Sequence, residues 1–353
     1  MRKSMAALLG GVTGVVGALI AREAWQRERD HQHFEEGRDY WRLYLPAEDV
    51  RWADAHLRTY RIPSGHIGIH MDVYAQDEAG APAIIIAPGM LTYGRLYVTL
   101  ARSFYERGYT VICPDYPGTG FSGGTRGDGT VGETVAAIVE TTLWARQHVD
   151  GPLYLIGLSL GGAVAYAAAA AGAPVSAISC VDLFTFDDVA TLRKLVAQPR
   201  VLDLLPLARA LSIPLGWVRL PADLVHRMND IVAPEEADRL AVWRFDPLVP
   251  RMFSLRSLVS AATTSPRVQL ERNAIPTLVI NQEHDHVLDP AVTYASFEQL
   301  GGPKRYVALP ETAHWSFERP FWEMIVGESD QWFRMHRAGT HSHELAQAEP
   351  AGG

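Results

Sequence analysis

PLYLIGLSLGGAVAYAAAAA, residues 152–171, is the stretch on which the reading of this chain turns. Its first part is a short, wholly apolar run, the pattern of a strand buried on both faces. Its last part is an Ala-rich segment that stops at Gly172, the pattern of a helix. Between them, Gly157, Ser159 and Gly161 form a G-x-S-x-G match. The pentapeptide alone is weak evidence, because three fixed residues recur by chance. Its position between a buried strand and a helix gives it meaning. A strand that reverses into a helix through one residue needs glycine on either side, because a Cβ there collides with the neighbouring strand or helix. The serine hydroxyl is then exposed at the carboxyl end of the strand. The free N–H groups of the helix N-terminus point at the same place. The bland alternative is a glycine-rich turn with an incidental serine.

Working outward, the same alternation repeats. LRTYRI and IGIHMDVYAQ read as two strands around a turn at Pro63-Ser64-Gly65, and PAIIIAPG as a buried strand. RLYVTLARSFYERGY has helical spacing and ends at Gly108, and TVICPDYPGTGFSGG is a strand running into a Gly/Pro-rich loop. Thr130 and Glu133 form a capping box that opens a helix, and PVSAISCVD is a further strand. From about Phe184 to Asn273 buried-strand runs disappear, and the segment reads as several short helices. The alternation resumes with IPTLVIN, a helix near AVTYASFEQLG, and KRYVALP. Strands alternating with helices imply crossovers and a mainly parallel sheet, here interrupted by a helical insert.

A serine at its free pKa needs a base held by a third group. His314, on the loop after the last apolar run, is the base candidate. Asp285, four residues beyond IPTLVIN, is the acid candidate, and it would orient the imidazole without taking its proton. Asp289 and Asp182 are rivals for that place. Two backbone donors are needed for a developing oxyanion. The N–H of Leu160, directly after the serine, is one, and the N–H of Met90, on the loop after PAIIIAPG, is the other. His284, His286 and Asp289 spell H-x-H-x-x-D and invite a metal reading. They lack the adjoining Asp-His of the common two-metal motif, and they lie on the loop that carries the acid candidate.

In these pieces the chain resembles α/β-hydrolases of the monoacylglycerol-lipase-like, serine-aminopeptidase-like branch. IIIAPGM, LARSFYERGYTVICPDYPGTGFSGG, GLSLGG, DPLVPRMF, VINQEHDHVLDP and LPETAHWSFERP appear in the family's order over about residues 57–335. The resemblance implies an eight-stranded sheet with a cap inserted after the sixth strand. It implies Ser159, Asp285 and His314 as the triad, and Pro88 stands where many relatives have histidine. The domain reading is an apolar N-terminal segment (1–30), a first part of the core (31–183), a helical cap (184–268), a second part of the core (269–337) and a loose tail (338–353). The expected activity is cleavage of an acyl ester or lipid. Acyl transfer, thioester or amide cleavage with the same triad are the alternatives, because fold and triad do not set the substrate. A catalytically dead scaffold would show an altered serine, acid or histidine, and all three are present. Ser159 at the elbow argues against dehalogenases and epoxide hydrolases of this fold, which use aspartate.

Composition narrows the rest. The net charge of −8 implies no basic face, so nucleic acid is a poor partner. Cys113 and Cys180 lie at the ends of apolar runs and read as free buried thiols. The glycines of PGTGFSGG do not open a helix in the dinucleotide-binding manner, and no cofactor is implied. Residues 4–21 carry no charge, only just reach the length of a membrane span, and hold a G-x-x-x-G pair at Gly10 and Gly14. The preferred reading is a membrane anchor with the catalytic domain on the cytoplasmic side. A signal peptide is the competitor, although the stretch exceeds the usual apolar region and no clean cleavage site closes it.

Overall fold

The computed structural model describes residues 17, 18, 20–25, 34, 37–224 and 231–337. Its strands are β1 (Arg58–Ser64), β2 (Ile67–Tyr74), β3 (Ala83–Ala87), β4 (Thr110–Pro114), β5 (Leu153–Leu158), β6 (Ala177–Val181), β7 (Arg219–Pro221), β8 (Met252–Ser254), β9 (Thr277–Gln282) and β10 (Lys304–Leu309). Its helices are α1 (Ala47–His56), α2 (Val98–Tyr105), α3 (Val131–His148), α4 (Leu160–Ala170), α5 (Val189–Leu195), α6 (Leu205–Leu215), α7 (Ala237–Trp243), α8 (Leu255–Ser260), α9 (Pro290–Gln299) and α10 (Arg319–Met335).

Eight strands form one sheet in the order β1-β2-β4-β3-β5-β6-β9-β10. β2 runs antiparallel to β1 and β4, and every other neighbouring pair is parallel. The expected α/β-hydrolase sheet is therefore present. Period-two alternation sorts each strand between two cores. Ile84, Ile86, Tyr154 and Ile156 pack on one face with Leu100 and Phe104 of α2 and Trp322, Ile325 and Phe333 of α10. Ala83, Ile85, Leu153 and Leu155 pack on the other with Ile138 of α3, Val164 of α4 and Val292 of α9. With helices on both faces, the central strands have no solvated side, which is why they read as unbroken apolar runs. The capping box forms as expected: Glu133 N–H donates to Thr130 Oγ1 at 3.2 Å and Thr130 N–H donates to Glu133 Oε2 at 2.8 Å.

The chain order reverses between β3 and β5. β3 is followed by β4 on one side, and the chain then returns to place β5 on the other. Crevices at such switch points, beyond the carboxyl ends of the strands, are where open α/β sheets bind ligands. Here the loops that meet there begin at Pro88 and Ser159.

Between β6 and β9 the chain leaves the sheet. The sequence pattern predicts only short helices here, but β7 and β8 pair antiparallel as a small ribbon among them. Three-residue strands give too few alternations to be seen as a pattern. The insert is stitched to the loop after β4. Ser254 N–H donates to the Gly127 carbonyl at 3.0 Å, and Arg256 forms an ion pair with Asp128 at 2.7 Å.

The apolar N-terminal stretch and the tail after residue 337 lie almost wholly outside the described residues. Among the described residues, no helix is long and apolar enough to cross a membrane. Cys113 and Cys180 are buried and unpaired, and burial pushes both thiols up, away from the reactive thiolate.

Two glycines test this packing. A Cβ on Gly162 would stand 1.9 Å from the Asp182 carbonyl oxygen, whereas one on Gly132, in the first turn of α3, meets nothing within 4 Å. Gly162→Ala should destabilise the protein by about 3 kcal/mol or prevent folding. Gly132→Ala should stabilise it by about 0.4–1 kcal/mol. Chemical denaturation of the two variants would separate them, and equal effects would contradict the packing described.

Candidate active site

Ser159 is the single residue between β5 and α4, and it has φ 57° and ψ −122°. A non-glycine residue in that region is strained by about 1–3 kcal/mol, a cost that the surrounding structure must hold in place. Its surroundings do so. Ser159 N–H donates to the Val181 carbonyl at 2.8 Å and Gly162 N–H donates to the Ser159 carbonyl at 2.8 Å. A Cβ on Gly157 would lie 1.9 Å from the Gly161 oxygen, and one on Gly161 would lie 2.1 Å from the Ala87 oxygen. The glycines of the motif are thus required by backbone from the turn itself and from β3. Ser159 and Leu160 are half-buried, at the mouth rather than in the core.

The loop after β3 approaches from the side. Tyr97 Oη receives the Gly89 N–H at 2.6 Å and contacts Thr92 Oγ1 at 2.9 Å, and Thr92 Oγ1 donates to the Gly89 carbonyl at 2.8 Å. Tyr116 Oη donates to the Pro88 carbonyl at 2.8 Å. Leu91 takes a left-handed φ of 62°, which turns the chain sharply beside Met90. With the Gly89 amide taken by Tyr97, Met90 is the next amide along. Among the described residues its N–H has no protein acceptor. The Leu160 N–H, at the first position of α4, has no partner within the helix. Tyr97, Thr92 and Tyr116 were not singled out from sequence. Their spacing from Gly89 carries no motif, and only the folded loop shows what they hold.

Asp285 lies on the loop after β9 and is buried. Its Oδ1 accepts the Val287 N–H at 2.7 Å and the Leu288 N–H at 2.8 Å. Its Oδ2 is 2.7 Å from His314 Nδ1. His314, on the loop after β10, is 7% exposed. Burial pulls the imidazole pKa down, but the charge and hydrogen bond of Asp285, together with the charge of Asp182, outweigh it and raise the value to about 8. With Nδ1–H donated to the carboxylate, Nε2 is left with its lone pair.

Asp182, at the end of β6, joins this group. Its Oδ1 accepts from Asn281 Nδ2 at 2.8 Å, and its Oδ2 is 3.7 Å from His314 Nδ1. Burial and the nearby Asp285 charge push its carboxyl well above the usual carboxylate range. Asp289, the other rival, faces elsewhere: it is exposed and caps α9 through the Ala291 N–H at 2.9 Å. His284 and His286 are also exposed. Among the described residues, the only group with metal-ligand spacing is Asp182, Asp285 and His314 themselves.

Two cavities flank Ser159. One, of about 750 Å³ counting its mouth, runs between Ser159 and the insert and is lined by Met90, Leu160, Phe184, Phe186, Leu192, Leu202 and Leu258. The other, narrower and of about 370 Å³ counting its mouth, holds Ser159 and His314 together with Gln282, Trp243 and Trp315. The structure therefore brings Asp285 and His314 into hydrogen-bond contact and puts Ser159, His314 and Met90 on one cavity.

This arrangement can be set beside known proteins. An Escherichia coli protein described as an uncharacterized 31.7 kDa protein in the traX-finO intergenic region is 24% identical over 303 residues, 82% of this chain and 98% of that protein. Similar solved structures include a Paleococcus ferrophilus monoacylglycerol lipase (21% identity, TM-score 0.59, covering 79% of this chain and 99% of that one). A thermostable carboxyl esterase from Bacillus coagulans is similar as well (18% identity, TM-score 0.63, covering 80% of this chain and 99% of that one). At these identities the likeness is one of fold. The family profile described as alpha/beta hydrolase fold matches residues 82–320, which takes in β3 to β6, the insert, β9 and β10. The chain belongs to the α/β-hydrolase fold family.

Proposed function

We propose that this hydrolase cleaves acyl esters, as a carboxylesterase or lipase, through an acyl-Ser159 intermediate. The observation that carries the reading is the buried Asp285–His314 pair at 2.7 Å, opening on the same cavity as a serine held on a strained strand-to-helix turn. As Ser159 Oγ attacks the ester carbonyl carbon, His314 Nε2 takes its proton. The carbonyl oxygen becomes an oxyanion facing the N–H groups of Met90 and Leu160. Collapse expels the alcohol, which carries off the proton from His314. Water then gives a proton to the same Nε2 as it attacks the acyl carbon, and the acyl–Oγ bond breaks as Nε2 returns that proton to Ser159 Oγ, releasing the acid. Asp285 holds Nδ1–H throughout and keeps the imidazole in the useful tautomer. The apolar cavity beneath the insert suits the acyl chain, and the lipase and esterase among the similar structures support an acyl ester as substrate.

Ser159→Ala should lower kcat on p-nitrophenyl esters by on the order of 10⁶. In the unaltered protein, octanoate and longer esters should exceed acetate in kcat/KM by at least about tenfold, since each buried methylene is worth about 0.8 kcal/mol. Turnover that survives in Ser159→Ala sinks the nucleophile assignment. Turnover confined to thioesters or amides moves the assignment to those substrates.

The base must be neutral to take a proton, and His314 is raised to about 8. Activity should therefore be present above that pH and fall tenfold per unit below it. The acid limb of kcat/KM should be centred near pH 8, and a limb centred at or below the ordinary imidazole value would remove the Asp285 charge as the controlling influence.

The same proposal takes residues 4–21 as a membrane anchor with the hydrolase domain on the cytoplasmic side, a reading supported by the sequence pattern alone. The full chain should sediment with membranes and resist an alkaline wash, and deletion of residues 4–21 should release it. Release of the full chain by the wash would remove the anchor.

A further inference from the structure

The Asp182 carboxyl has no task in the acyl-transfer scheme, yet it lies against the base. We infer that Asp182 is a second positioning carboxyl for His314, able to take over the Nδ1 proton when Asp285 is absent. The inference rests on the triad reading above.

Three observations support it. First, three adjacent elements of the sheet deliver the group. Asp182 ends β6, Asp285 follows β9 and His314 follows β10, and their ligand atoms all lie within 4.8 Å of one another. Second, Asp182 is wholly buried, and its Oδ2 has no hydrogen-bond partner among the described residues. An unpaired buried carboxylate oxygen is costly. If Asn281 were the reason for this carboxyl, Oδ1 alone would satisfy it. Third, the unpaired oxygen is the one that stands 3.7 Å from Nδ1. Oδ2 makes no hydrogen bond among the described residues that a move toward Nδ1 would have to break. The main chain is compatible with this placement. Asp182 has φ 71°, a left-handed conformation that aspartate tolerates better than most residues.

Charge explains why the second carboxyl stays in reserve. Two carboxylates beside one imidazole repel each other, and burial adds to the penalty. Burial, and after it the nearby Asp285, push the Asp182 carboxyl above the usual carboxylate range. Removing Asp285 lifts that second influence and leaves the Asp182 Oδ2 as the carboxyl oxygen beside Nδ1.

Steady-state kinetics on the full chain test this with Asp285→Ala, Asp182→Asn and the double variant. Removing the orienting carboxylate of a triad with no substitute costs on the order of 10⁴ in kcat. Asp285→Ala should lose only about 10², the double variant about 10⁴, and Asp182→Asn alone about three- to tenfold, with KM changing less than about twofold throughout. If Asp285→Ala is already about 10⁴ down and the double variant is no lower, Asp182 has no such role. Asp285→Ala strips the Val287 and Leu288 amides of their acceptor and can fail to fold. Asp285→Ser, whose hydroxyl can accept those amides, is its companion. A readout independent of turnover is the low-field proton resonance of a hydrogen-bonded His314 Nδ1–H, recorded on a Ser159→Ala background. It should persist in Asp285→Ser and disappear when Asp182→Asn is added. Its loss in Asp285→Ser alone overturns the inference. Activity retained by Ser159→Ala overturns the triad reading instead, and leaves the resonance to report on Asp182 by itself.

Discussion

The site depends on a shortage of space around one turn. Gly157, Gly161 and Gly162 each have a backbone oxygen where a Cβ would go, contributed by the turn itself, by Ala87 of β3 and by Asp182 at the end of β6. That contact draws three neighbouring strands to one point, and Ser159 is held at φ 57° because its backbone is pinned on both sides. A protein interior is packed too densely to relax around such a turn. The strain is therefore retained rather than dissipated, and the hydroxyl stays at the cavity mouth.

The same closeness sets the electrostatics. β6, β9 and β10 are consecutive in the sheet, so the loops leaving their carboxyl ends converge. Two carboxyls and an imidazole are thereby enclosed where water does not screen them. Burial alone would favour a neutral imidazole and neutral acids. The backbone amides of Val287 and Leu288 bond the Asp285 Oδ1 while its Oδ2 faces His314. Asp182 has only the Asn281 amide and so carries the penalty of enclosure. Two aspartates of similar position thus differ because one has a backbone nest and the other does not.

The framework was legible in the sequence wherever a pattern repeats. The buried central strands, the helices between them and the Thr130–Glu133 capping box were all readable, because periodicity and capping are local. α1 was not read, although Pro46 before it and Glu48 and Asp49 in its first turn are helix-start signals. It lies before the first strand, where no alternation frames it. The β7–β8 ribbon was not read because a strand of three residues has no period to detect. Tyr97 and Tyr116 escaped notice for a different reason. Each is a buried aromatic like many others, and only its hydroxyl partner separates it from a core residue.

By itself the sequence determined the order of the central strands and helices, the turn at Ser159, and the candidates for a nucleophile, an acid and a base, because these depend on neighbours within a few positions. It left Asp285, Asp289 and Asp182 as rivals. The choice among them rests on distances between segments more than a hundred residues apart in the case of Asp182 and His314. Only the tertiary structure shows which of them lie against His314. Strand order puts β6 beside β9 and leaves two carboxyls, rather than one, against the imidazole, while Asp289 caps α9 through a local contact. The sheet also placed β3 and β5 side by side after the chain had reversed direction, and so brought Met90 and Ser159 to the same cavity. Strand order arises from long-range packing, and no local pattern encodes it.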